Sequence, residues 1–83
     1  MTNYSFEVLI PEGLHARPCA KLIEILKPFE PVDITYNENV IKNLSILDLL
    51  LQKISTGSTV TISTSESLSP EAVEKLQNVF SEL

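Results

Sequence analysis

Cysteine, histidine and arginine each occur once in this chain, as Cys19, His15 and Arg17. A lone cysteine cannot close an internal disulfide, and one cysteine with one histidine is too few for a structural zinc site, so no structural metal is expected and a reducing cytoplasm is the expected compartment. No stretch approaches the ~20 apolar residues of a membrane-spanning helix, and Met1 to Ser5 carry no basic region followed by an apolar run. Neither export nor membrane insertion is therefore expected. Basic residues are also scarce: six Lys and Arg stand against eleven Asp and Glu, for a formal charge of -5. Such a balance repels phosphate backbones and anionic lipid at long range, which argues against nucleic acid as a partner. Internal repeats, low-complexity tracts and linkers are likewise missing.

What is present suits one small folded unit. The 83 residues are 43% hydrophobic and 20% charged, enough apolar material to fill a single core without cross-links and too little for two. Residues 1–83 are read as one domain and as a monomer.

Apolar and polar residues alternate from Tyr4 to Ile10, as a half-buried strand requires, and Pro11-Glu12-Gly13 stops the pattern. From Ala16 to Lys27, Cys19, Leu22, Ile23 and Leu26 recur at helical spacing until Pro28. Val32, Ile34 and Tyr36 alternate again, Asn37-Glu38-Asn39 supplies a turn, and Val40-Ile41 forms the second arm of a hairpin. Ser45 with Asp48 three residues on reads as a helix cap opening a short helix to about Ile54. Thr59 to Thr64 is a fourth strand. Ser69-Pro70-Glu71 starts a last helix whose stripe is Ala72, Val73, Leu76, Val79, Phe80 and Leu83. The order βαββαβα is best buried as an α+β open-faced sandwich, a four-stranded antiparallel sheet covered on one face by three helices.

The chemistry concentrates in Gly13-Leu14-His15-Ala16-Arg17-Pro18. With the helix starting at Ala16, His15 is its N-cap, and Ala16 and Arg17 present backbone amides that no carbonyl of the same helix can reach. Those amides, the helix dipole and the Arg17 guanidinium together suit a phosphoryl group carried on the His15 ring. The same field favours the neutral imidazole, whose lone pair can attack phosphorus. Spacing alone leaves open an ordinary capping histidine and a solvent-facing arginine. Cys19, four residues from His15, falls on the apolar stripe and reads as buried rather than reactive.

This hexapeptide resembles the active-site signature of the HPr family, the histidine phosphocarriers of the bacterial phosphoenolpyruvate-dependent phosphotransferase system. The resemblance extends through Leu22 to Phe29, Tyr36-Asn37, the helix entry Asn43 to Leu47, and Gly57 before Val60-Thr61-Ile62. It implies that His15 receives phosphate from enzyme I, through the ring nitrogen nearer the backbone, and passes it to an enzyme IIA-type domain, often serving sugar transport. Arg17 would flank the phosphohistidine, and the carrier would hold no cofactor. Such a protein is a transferase-like relay component, turning over only between proteins. The run Leu44 to Leu51 is also similar to NPr, the carrier of the nitrogen-related regulatory branch. A non-catalytic regulatory module on the same fold is a further reading.

Three other features accompany the signature. Ser45 matches a position phosphorylated in many family members by a serine kinase, while helix capping explains the same residue without a kinase. Beyond it, Ile46, Leu47, Leu49, Leu50, Leu51 and Ile54 outnumber what one buried face needs. Some must be exposed, and Ile46, Leu47, Leu50 and Leu51 are read as a partner-docking surface. Glu12, close to His15 in sequence, would oppose the helix field and repel phosphate.

Overall fold

The computed structural model describes residues 1–82. Four strands, β1 (Thr2–Glu7), β2 (Val32–Tyr36), β3 (Asn39–Ile41) and β4 (Thr59–Thr64), and three helices, α1 (Ala16–Leu26), α2 (Ile46–Leu51) and α3 (Pro70–Phe80), follow in the expected order, with a 3-10 turn at Lys27–Phe29. The strands form one antiparallel sheet in the spatial order β1-β4-β2-β3. One face is apolar because the register aligns like with like: Phe6 opposes Val60, Ile34 opposes Ile62, and Ile34 also opposes Ile41. The helices cover that face, leaving Ser5, Thr61 and Asn3 on the open side, where Ser5 bonds Thr61 and Ser63 donates to Asn3.

Each helix contributes a stripe to a single core. Cys19, Leu22 and Leu26 from α1, Leu49 from α2, and Ala72, Leu76, Val79 and Phe80 from α3 are all buried. The Phe80 ring stacks on Phe6 at 5.0 Å between centroids, joining the last helix to the first strand. Leu83, expected at the end of the α3 stripe, lies outside the described residues.

Element boundaries depart from the periodicity at two places. The first strand begins earlier and stops at Glu7 rather than Ile10. Val8 and Ile10 are still buried, as alternation demands. Their backbone has left the ladder, however: Val8 donates to the Ser58 carbonyl at 2.8 Å and Leu9 to the Phe80 carbonyl at 2.8 Å. The second helix ends at Leu51 instead of Ile54. Lys53 adopts a left-handed φ of 51°, which no helix can continue, and Ile54 turns into the core.

No helix among the described residues is long and apolar enough to cross a membrane.

Candidate functional site

The loop before α1 is built by three backbone contacts. Gly13 donates to the Ile10 carbonyl at 2.9 Å, Leu14 to the Ile54 carbonyl at 2.9 Å, and His15 to the Gly13 carbonyl at 3.1 Å. Gly13 has φ 76°, a left-handed conformation that side chains resist. A Cβ there would lie 2.5 Å from the Ile54 carbonyl oxygen. Glycine is thus required twice, for the turn and for the close approach to the segment after α2. Leu14 is buried beneath the loop, so the chain is held from below while the next three residues face solvent.

His15 occupies the N-cap of α1 in an extended conformation, and its side chain makes no capping hydrogen bond. The ring is exposed and is not consumed by the helix it precedes. Its carbonyl accepts from Cys19 at 3.2 Å, the first bond of the helix. Among the described residues, the Ala16 and Arg17 amides have no protein acceptor, as expected for the first turn. Arg17 is exposed and makes no ion pair among the described residues.

A cleft of about 230 Å³ lies beside this turn, lined by Ile10, Pro11, Glu12, His15, Arg17, Pro18 and Glu82. It brings His15 and Arg17 together over apolar walls at the start of α1, so that an imidazole and a guanidinium share one anion-accepting space. Two carboxylates border the same space. Glu12 was visible from sequence as a neighbour of His15. Glu82 was not, since nothing in the chain signals that the end of α3 returns to residue 15; there its carboxylate pairs with Lys21 of α1 at 2.6 Å. Among the described residues no cluster of His, Cys, Asp and Glu is suited to a metal ion.

Cys19 stands apart from this chemistry. It is wholly buried, its thiol donates to the Leu14 carbonyl at 3.7 Å, and burial pushes it up to about 11. At neutral pH it is a protonated packing group.

The second helix presents the apolar surface expected of it, unevenly. Leu47 is 64% exposed, Leu51 65% and Ile46 41%, while Leu49 is buried and Leu50 packs partly against the core. Helix α2 lies against α1, and the turn that ends it bonds the His15 loop through Ile54. Ser45 caps α2, its hydroxyl accepting from the Asp48 amide at 3.2 Å. Asn43 and Leu44 before it both have positive φ, 60° and 50°.

Comparison with known proteins places these features in context. Residues 3–82 match the sequence model of the family described as "PTS HPr component phosphorylation site". Among solved structures, the chain resembles a histidine-containing phosphocarrier protein of Mycoplasma, with 25% identity over 94% of this chain and 90% of that one and a TM-score of 0.76. A phosphocarrier protein HPr from Bacillus anthracis shares 29% identity over 94% of each chain, with a TM-score of 0.74. HPr from Thermoanaerobacter tengcongensis, 24% identical over 100% and 99% of the two chains, has the same fold at a TM-score of 0.79.

Proposed function

The chain belongs to the HPr family of the phosphotransferase system, and we propose that it relays a phosphoryl group from phosphorylated enzyme I to an enzyme IIA-type acceptor through His15. The observation that carries this reading is an exposed imidazole at the N-cap of α1 that makes no capping bond, beside two amides with no acceptor among the described residues.

Transfer onto the carrier forms a nitrogen–phosphorus bond at a neutral ring nitrogen of His15 as the donor's bond to phosphorus breaks. Charge spread over the three phosphoryl oxygens is met by the Ala16 and Arg17 amides and by the guanidinium of Arg17. The outward step is the reverse: the acceptor's nucleophile takes the phosphoryl group and the imidazole departs. Because a protonated imidazole leaves readily, both directions can be fast. No carrier-bound cofactor takes part in this scheme. Ile46, Leu47 and Leu51 of α2 supply the apolar contact for each partner in turn, with Leu50 behind them. Phosphoenolpyruvate is the ultimate donor, and the cytoplasm is where the exchange takes place. Ser45, at the entry to that helix, is the position at which a serine kinase would add charge beside the docking surface.

Incubation with enzyme I and phosphoenolpyruvate tests the reading. The expected product is acid-labile, base-stable phosphate on the wild type and none on His15→Ala, with Arg17→Gln slowed on the order of 10- to 100-fold. A wild type that takes no label would instead leave a regulatory binding module as the role of the fold. Supplying sugar-type and nitrogen-branch IIA domains separately then identifies the downstream acceptor.

A further inference from the structure

We infer that Glu12 and Glu82 set the phosphoryl-donor strength of His15, by placing negative charge in the cleft that His15 lines. The inference rests on the phosphocarrier reading and extends it to residues outside the signature.

The two carboxylates reach the cleft from opposite ends of the chain and share it with His15 and Arg17. Glu82 is partly offset by Lys21, 2.6 Å away, whereas Glu12 has no cationic partner among the described residues. Before transfer, the cleft holds the Arg17 guanidinium and the two acidic residues with no ion pair between them among the described residues. After transfer, a group bearing close to two negative charges lies in the same space. Ile10, Pro11 and Pro18 supply the apolar part of the lining, while Glu12, His15 and Arg17 face solvent, so the repulsion is screened and its effect modest. The phosphorylated state is raised relative to the free carrier, and onward transfer to an acceptor becomes correspondingly more favourable. Arg17 and the helix amides prevent the repulsion from abolishing phosphorylation. Lys21 moderates it through Glu82.

The discriminating quantity is the equilibrium constant for phosphorylation, read as the phosphorylated fraction at fixed ratios of phosphoenolpyruvate to pyruvate with catalytic enzyme I. A changed docking surface alters the rate of approach to that equilibrium and leaves its position alone, so a purely structural or docking role does not move it. At low salt, Glu12→Gln and Glu82→Gln should each raise the constant roughly threefold, and Lys21→Met should lower it by a similar factor. The differences should shrink at high salt as screening shortens the range of the field. Wild type and all three variants with the same constant would overturn the inference while leaving the carrier reading intact. A wild type that takes no phosphate would remove both.

Discussion

The Ile54 carbonyl oxygen lies 2.5 Å from where a Cβ on Gly13 would be, so the segment after α2 and the loop bearing His15 are fitted against each other at a point where only hydrogen can stand. Leu14 bonds the same carbonyl at 2.9 Å. The segment after α2 and the His15 loop are thereby joined through two adjacent backbone contacts. Gly13→Ala must either displace residue 54 or give up the turn. The expected cost is about 1–3 kcal/mol, read as a drop in the midpoint of urea or thermal unfolding. Phosphate acceptance should slow as well, because the amides of α1 are displaced from the ring they serve. Unchanged stability and rate would show that the loop relaxes freely and that the contact has no positioning role.

Much of this arrangement was legible in the residues themselves. Val32, Ile34 and Tyr36 gave their strand because alternation over a half-buried sheet has one solution, and Ser69-Pro70-Glu71 gave the start of α3 because each residue suits its position at a helix start. The His15 turn was legible for the same local reason. Contacts between segments distant in the chain were not. The first strand was placed too late because Val8 and Ile10 keep strand alternation while their backbone bonds elsewhere, and periodicity reports burial rather than hydrogen-bond partners. The second helix was drawn too long because Lys53 gives no sign of its left-handed backbone. Glu82 escaped notice since its arrival beside residue 15 depends on how α3 packs across the molecule.

The two serine caps should be separable from any regulatory role by stability alone. Ser45 accepts from the Asp48 amide at 3.2 Å and Ser69 from the Ala72 amide at 3.1 Å. Replacing either by alanine leaves a helix amide without its acceptor and should cost about 1 kcal/mol, a fall of roughly 4–8 °C in Tm for a domain of this size. Ser45→Asn, which can still cap, should recover most of the loss. If Ser45→Ala is as stable as the wild type, the hydroxyl is not held for capping.

Exposed and buried leucines of α2 should behave oppositely. Leu47 and Leu51 face solvent while Leu49 is fully buried. Leu47→Ser and Leu51→Ser should change stability by no more than about 0.5 kcal/mol and raise the KM for phosphorylation by enzyme I about tenfold, an effect of the size found when a central interface anchor is truncated. Leu49→Ala should cost about 2–5 kcal/mol through the cavity it leaves, with KM near that of the wild type under conditions where it remains folded. Equal KM values for the wild type and both serine variants would move the docking surface off this helix.

Cys19 provides a pH signature of the core. Burial pushes its thiol up to about 11 from an ordinary 9.0. Between those values the unfolded chain has lost the thiol proton and the folded chain has kept it, so the native state binds more protons and stability falls as pH rises. Below about pH 9 both states are protonated and the contribution vanishes. The expected slope is roughly 1.4 kcal/mol per pH unit across that window, superimposed on tyrosine and lysine titrations in the same range. Cys19→Ala isolates it: the variant should lose some stability at every pH from missing packing, yet approach the wild type as the solution is made alkaline. Urea titrations from pH 7 to 10.5 give the difference curve. Native protein should also resist a thiol alkylating agent at pH 8 and react once unfolded. A difference curve flat with pH, together with prompt alkylation of the folded protein, would place the sulfur within reach of solvent and contradict its assignment as a packing group.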